Sequence, residues 1–448
     1  MMKFSFIAGL ILAIMSCNNA PQTTVSLHVE GAKADVPAEV VTKDSVYSVT
    51  LDSTGSALIT LADNFRPGYA SLKYGRVVIP VYVEPGKSFD VSLKQKGRRM
   101  TPVFTGEGAK KNDYLNSKVF FQGYPDFKAD ESAFISDLEE RENKLLTYLD
   151  SMAFENAFIQ SEKKRIHALV YGSLTSYPSY HGYYSEVQNF KPSERYYEVL
   201  KAAAVEDESM LNVPVYQELI AGTARVMAGK DMAEYDALTL VKNKLDYIQK
   251  NFQSPKIQEF FVDEFITEYV NRSGVEHLDE LTSVYNAKVT SPEKKAKFDE
   301  LCSTWAKIAK GQPSPAFKYT DINGKEVSLA DLAGKYVYID VWATWCGPCR
   351  GELPHLKKLE HQYKNKNIAF VSISCDQDKA AWEKMVKSEK LGGIQLHNGG
   401  DREFMQAYII KGIPRFILLD REGKIINSDM SRPSDAKTAE TFRNLKGI

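Results

Sequence analysis

The sequence predicts a multidomain chain in which an N-terminal all-β sandwich and a central all-α region precede a C-terminal α/β domain. Three observations carry this prediction. Apolar residues alternate with polar ones from Thr24 to about Thr105, and they recur at helical spacing from about Gly106 to Lys310. Gly334 to Trp342, a glycine turn feeding a short apolar strand, then runs into a helix carrying two cysteines, after which strands and helices alternate. At ~100–200 residues per domain, 448 residues are enough for about two to four separate cores.

The chain opens with Lys3 and an apolar run from Phe4 to Met15 that ends at Ser16-Cys17. This run is shorter than the ~20 apolar residues of a bilayer span. Its charged start and small-residue end are those of an export signal over residues 1–16. Ile14-Met15-Ser16-Cys17 resembles a lipobox, which implies that Cys17 becomes the acylated first residue, that residues 17–23 form a tether, and that the protein is lipid-anchored in the cell envelope, facing the periplasm. An ordinary signal peptide with a spare cysteine is the alternative. No second long apolar run follows, so the rest is expected to be soluble.

Residues 24–105 read as strands. Val25, Leu27 and Val29 alternate, as do Tyr47, Val49 and Leu51, then Val77, Ile79, Val81 and Val83, then Phe89, Val91 and Leu93. Turn signals at Asp52-Ser53-Thr54-Gly55, Arg66-Pro67-Gly68 and Glu84-Pro85-Gly86 separate them, predicting a small antiparallel sandwich or barrel. Residues 106–310 form the helical domain, with Ile135, Leu138, Leu145 and Leu149 at helical spacing, and later Phe260, Phe261, Phe265, Ile266 and Val270. Ser254-Pro255 and Ser291-Pro292 each supply an N-cap and a proline suited to the first helical position. The aromatic stretch with Tyr177, Tyr180, His181 and Tyr183 suits core packing or a partner surface.

Gly311-Gln312-Pro313-Ser314-Pro315 has the composition of a linker, which sets the last domain at residues 311–448. Phe317 to Leu329 reads as a hairpin turning at Asn323-Gly324. Beyond the cysteine helix come a strand at Ile368 to Ser374, a helix around Ala380 to Lys387, the glycine-rich Leu391 to Gly400, and a helix ending near Ile410. Strands at Phe416 to Asp420 and Lys424 to Ile426 follow.

The chemistry is concentrated in Trp345-Cys346-Gly347-Pro348-Cys349. Leu353, Leu356 and Leu359 recur at helical spacing, so Cys346 falls at a helix start and Cys349 one turn inside. Unpaired N–H groups and the helix dipole stabilise a thiolate there. Cys346 is therefore expected to attack, and the more shielded Cys349 to resolve the mixed disulfide.

This stretch resembles the thioredoxin active site, and Trp-Cys-Gly-Pro-Cys-Arg-Gly-Glu-Leu-Pro resembles the TlpA/ResA-type thiol-disulfide oxidoreductases of bacterial envelopes. The resemblance covers about the last third of the chain, and similar β-domains precede such domains in envelope lipoproteins. It implies a thioredoxin-like fold, a redox-active disulfide between Cys346 and Cys349, a buried acid at Asp340, an active-site glutamate at Glu352, a helix-kinking Pro354, and a cis-proline loop at Ile413-Pro414. Trp345, Ile413 and Arg415 would then line the substrate groove. Arg415 departs from the family, which usually has a small residue after the proline. The implied partners are a protein thiol or disulfide client and a membrane thiol reductant as electron donor, with no cofactor. The Gly-Pro dipeptide points to a reductase.

The dithiol and its neighbours admit other readings. Cys-x-x-Cys is also half a zinc site, but no second pair follows, and His355 and His361 continue the same helix. A thiol peroxidase would need a threonine where Ala343 stands. The chain could also be a tethered binding module with a vestigial dithiol. Asp340 is either a strand-end polar residue or a proton acceptor for Cys349, and the cost of burying a lone carboxylate favours function. Glu352 is equally well a solvated helix residue. Cys375, at a strand end, reads as a buried inert thiol. Lys+Arg 57 against Asp+Glu 58 leaves no charge excess to attract nucleic acid. Five cysteines in this length do not form a disulfide scaffold.

Overall fold

The computed structural model describes residues 22–32, 36–42, 45–62, 64–96 and 99–448. The export signal, Cys17 and most of the tether lie outside the described residues. The chain forms two compact units, one running to Met227 and one from Ala228 to Ile448. The division falls inside the helical stretch.

The first unit begins with strands β1 (Thr24–Val29), β2 (Pro37–Val41), β3 (Val46–Thr50), β4 (Ser56–Thr60), β5 (Gly68–Tyr74), β6 (Val77–Val83), β7 (Phe89–Lys96) and β8 (Arg99–Gly106). They form two four-stranded sheets, ordered β4-β1-β7-β8 and β3-β2-β5-β6. Val25, Leu27, Val29, Leu72, Val81, Val91 and Leu93 fill the core they enclose. The sandwich expectation holds, but its all-antiparallel form does not. β1 and β7 pair in parallel, with Leu27 opposite Val91, because they are distant in sequence and joined through the other strands.

Helices α1 (Ala109–Leu115), α2 (Glu131–Ser151), α3 (Asn156–Tyr171), α4 (Tyr177–Tyr184), α5 (Glu194–Ala203) and α6 (Pro214–Gly229) follow. The predicted Ile135, Leu138, Leu145 and Leu149 are buried on α2. Asn112 docks α1 on β6, accepting from the Tyr82 N–H at 2.6 Å and donating to its carbonyl at 3.2 Å. Glu162, wholly buried on α3, accepts from the Tyr69 hydroxyl at 2.6 Å and pairs with Arg165, so its charge is compensated. The aromatic stretch divides: Tyr177 is buried and donates to the Ala129 carbonyl, while Tyr180, Tyr183 and Tyr184 are exposed.

The second unit opens with α7 (Ala237–Asn251), α8 (Pro255–Ser273), α9 (Asp279–Lys288) and α10 (Pro292–Ala306). Ser254 and Ser291 cap α8 and α10 as expected, accepting from the N–H groups of Ile257 and Lys294. Each such cap stabilises its helix by ~1 kcal/mol.

The sheet of this unit comprises β9 (Lys318–Asp321), β10 (Glu326–Ser328), β11 (Tyr336–Trp342), β12 (Ile368–Ser374), β13 (Ile394–His397), β14 (Arg415–Leu419) and β15 (Ile425–Met430). Helices α11 (Gly347–Gln362), α12 (Lys379–Ser388), α13 (Glu403–Ala407) and α14 (Ala436–Arg443) alternate with these strands or follow them. Strand order is β10-β9-β13-β12-β11-β14-β15. Every residue of β11 and β12 is buried, and the two run parallel at the sheet centre, as expected of a strand covered on both faces. Leu356 and Leu359 of α11 pack with Tyr338, Phe370 and Phe442 on one side of it. The result is a thioredoxin-like α/β arrangement.

One expectation changes here. Residues 311–315 are not a free linker: Gly311 N–H donates to the Ile425 carbonyl at 2.7 Å, Ser314 N–H to that of Gly423 at 2.9 Å, and Ile425 N–H to Gln312 at 2.8 Å. Glycine and proline gave the segment its linker composition, but its backbone groups are satisfied by the start of β15.

Candidate active site

β11 delivers the chain to the dithiol at its carboxyl end, where sites in α/β sheets gather. Ala343 accepts from the Cys346 N–H at 3.1 Å, and Cys346 becomes the N-cap of α11. Gly347 and Pro348 form the first helical positions, where proline loses no hydrogen bond. Cys346 and Cys349 are joined in a disulfide, and the Cys349 N–H points at the Cys346 sulfur from 3.2 Å. That N–H is an orphan donor of the helix start, already aimed at the atom that carries charge once the disulfide opens. Both cysteines are nearly buried, in a cluster with Trp342, Ala343 and Trp382.

The Ile413-Pro414 peptide is cis and faces the dithiol, with the Ile413 carbonyl oxygen 3.8 Å from the Cys346 sulfur. Trp345 is 70% exposed beside it. Trp345 and Ile413 line a groove of about 1060 Å³ whose walls include Thr344, Cys375, Met405 and Ile410. Arg415 is turned away from it. Its guanidinium lies 3.1 Å from the Asp429 carboxylate and donates to the Ser428 carbonyl, which ties it to β15.

Asp340 is buried within β11, opposite Ser372 of β12. Burial, reinforced by the charges of Glu360 and Glu352, raises its pKa to about 8, against a lowering hydrogen bond from Ser372. Glu360, pushed up to about 7 by its own burial, had no signal in the motif, although it stands two helical turns beyond Glu352 on the same helix. Glu352 is also buried, but both its oxygens are engaged: one accepts the Ser434 N–H and the other its hydroxyl, each at 2.9 Å. That fastens the segment entering α14 to α11. Glu352 therefore acts on Asp340 through its charge, and its lone pairs serve the fold.

Cys375 is half-buried in the groove wall, its thiol held up by burial and by the charge of Asp376. Cys302 on α10 is pushed up to about 11 by burial. Among the described residues no group of three or more His, Cys, Asp or Glu stands together to hold a metal ion.

The sequence of this domain has counterparts among known proteins. The family model described as Redoxin matches residues 309–443. Thiol-disulfide oxidoreductase ResA of Bacillus thuringiensis is 33% identical over 140 residues, covering 31% of this chain and 80% of that protein. ResA of Bacillus subtilis is 31% identical over 119 residues, covering 27% of this chain and 66% of its own length. A solution structure from Bacteroides vulgatus, provisionally named a thiol-disulfide oxidoreductase, shares 67% sequence identity over 31% of this chain and 93% of its own, with a TM-score of 0.29.

Proposed function

This chain belongs to the ResA-like thiol-disulfide oxidoreductases, and on that premise we propose that it reduces disulfides of client proteins in the cell envelope through Cys346 and Cys349. The observation that carries this reading is the Cys349 N–H aimed at the Cys346 sulfur from the first turn of α11. The Cys346 thiolate attacks one sulfur of a client disulfide, and the other client sulfur leaves as a thiolate. Cys349 then loses its proton and attacks the Cys346 sulfur, which releases the second client thiolate and leaves the Cys346–Cys349 disulfide. Two electrons from a membrane thiol reductant return the dithiol. Asp340, on the strand entering the motif, takes the proton of Cys349 directly or through one water.

The reductase direction is supported by Gly347-Pro348, the dipeptide of thioredoxin, whose potential is about −270 mV against about −120 mV for the oxidant DsbA. Envelope location and lipid anchoring at Cys17 are supported by the export signal and lipobox of residues 1–17. No helix of the described residues is long and apolar enough to cross a membrane.

Two expected results test this reading. Brief alkylation of the reduced protein at about pH 6, where an ordinary thiol of pKa ~8.5 is scarcely ionised, labels Cys346 ahead of Cys349. Peptide mapping reads the order, and equal rates contradict it. Cys17→Ser moves the protein from the membrane fraction to the soluble envelope fraction, as immunoblots of fractionated cells detect; unchanged membrane association removes the lipid anchor from the account.

A further inference from the structure

We infer that Asp376 is a positioning residue for the dithiol, holding the loop that presents Cys346 and setting a fixed negative charge behind it. Asp376 lies just beyond the carboxyl end of β12 and is 1% exposed. One carboxylate oxygen accepts from the Thr344 N–H at 3.1 Å and the Thr344 hydroxyl at 2.7 Å. The other accepts from the same N–H at 3.0 Å and from the Ser374 hydroxyl at 2.7 Å. Thr344 is two residues before Cys346, in the short connection between β11 and α11. The neighbouring Cys375 N–H donates to the Trp342 carbonyl at 2.9 Å, so two consecutive residues of the β12 end grip this connection from β11.

A carboxylate is suited to this place for a chemical reason. Three donor groups converge on it, and an ionised carboxylate is acceptor-only, with lone pairs for all of them. An amide of the same shape must turn an N–H₂ toward one of those donors. Hydrogen bonds to a charged acceptor are also stronger than neutral ones, which keeps the connection rigid. The same charge opposes a thiolate at Cys346 and so favours the disulfide over the dithiol, the direction a reductase requires. Other charged side chains around the groove are committed elsewhere or lie on its rim. Asp378 caps α12 at the Ala381 N–H, Asp401 accepts from the Tyr319 hydroxyl, and Lys411 donates to Asn271. Arg402 is exposed on the groove wall, and Asp340 lies within β11. Asp376 also helps keep the Cys375 thiol protonated, and so out of exchange at the groove it lines.

This inference rests on Cys346 being the attacking thiol, and its test separates the two. Asp376→Asn in the full chain is expected to lower the pH midpoint for alkylation of Cys346 by roughly 0.5–1 unit, because a nearby negative charge is removed. It is expected to shift the equilibrium with glutathione toward the dithiol by roughly threefold, and to make Cys375 alkylate faster. Thr344→Val keeps the charge and removes one donor. It is expected to slow exchange with a model disulfide several-fold and to leave the midpoint in place. The inference requires both the hold on the loop and the charge behind Cys346, so if Asp376→Asn folds and moves neither midpoint nor equilibrium, no charge acts on Cys346 and the inference falls. If that variant does not fold, Thr344→Val decides: wild-type exchange rates overturn the positioning role, and slowed exchange at an unchanged midpoint supports it. If Cys346 in the wild type labels no faster than Cys349, the reading of Cys346 as nucleophile fails instead.

Discussion

Cys346→Ser is expected to abolish reduction of insulin disulfides by the protein, while Cys349→Ser is expected to retain the first chemical step and stop at the second. The contrast follows from the unequal positions of the two sulfurs. Cys346 is the N-cap of α11, receives the Cys349 N–H at 3.2 Å, and lies beside the groove at the Ile413 carbonyl. A serine hydroxyl there is not ionised near neutral pH and cannot open a disulfide, so no residual turnover is expected. Cys349 is 2% exposed, one turn inside the helix. Its loss leaves the attacking thiolate intact and removes the group that releases the client. Cys349→Ser is therefore expected to accumulate a covalent mixed disulfide, visible on non-reducing gels and lost on adding dithiothreitol. A doubly mutated Cys346→Ser/Cys349→Ser protein that still reduced insulin would assign the chemistry to Cys375 or Cys302.

Asp340→Asn is expected to slow release of the mixed disulfide by ~10²-fold, with a much smaller effect on the initial attack, because a general base contributes at that scale. The helix start activates Cys346 without Asp340, whereas Cys349 must lose its proton in a buried site where water is a poor acceptor. Stability moves the other way, and its pH dependence is a second signature. Burial, Glu360 and Glu352 raise the pKa of Asp340 from the ordinary carboxylate range to about 8. Below the unfolded value both states bind the proton, and the group costs nothing. As pH rises toward about 8 the unfolded chain has lost the proton while the folded chain still holds it, so folding is progressively penalised; above about 8 the penalty is complete and constant. Asp340→Asn removes it. The gain is expected to be small near pH 4, to grow through pH 7, and to level off above pH 8. Thermal unfolding of wild type and variant across that range measures it. A pH-independent gain would mean that Asp340 is not the buried titrating acid, and unchanged release kinetics would remove it as the acceptor for Cys349.

Several elements of this fold were legible because they are written in local pattern. β12 spans Ile368–Ser374 as the apolar run indicated, the Ser-Pro pairs cap α8 and α10, and the Asn323-Gly324 turn joins β9 to β10. What escaped depends on contacts between distant residues. β8 carries Pro102, which argues against a central strand, but it is a sheet edge where a missing N–H costs little. β5 turns Ala70, Leu72 and Tyr74 inward, and the small Ala70 weakens the alternation. α14 is short, with Thr438 and Phe442 as its buried residues, and gives little periodic signal.

The site divides in the same way. Cys346, Cys349 and the cis Ile413-Pro414 peptide are adjacent in sequence to recognisable residues. The role of Asp376 depends on Thr344, 32 residues earlier, and exists only because β11 and β12 lie side by side in parallel. Arg415 reads in sequence as a groove residue because it follows the proline. Its partner Asp429 lies on β15, the strand paired with its own, and draws it away.

Equilibrating the full chain with glutathione buffers of graded potential, then trapping thiols and weighing the products, measures the Cys346–Cys349 couple most directly. A reductase is expected to titrate as a two-electron couple near about −270 mV, with the trapped thiols mapping to Cys346 and Cys349. A midpoint near about −120 mV would make the protein an oxidant, and a disulfide that fails to equilibrate would contradict thiol-disulfide exchange at this site.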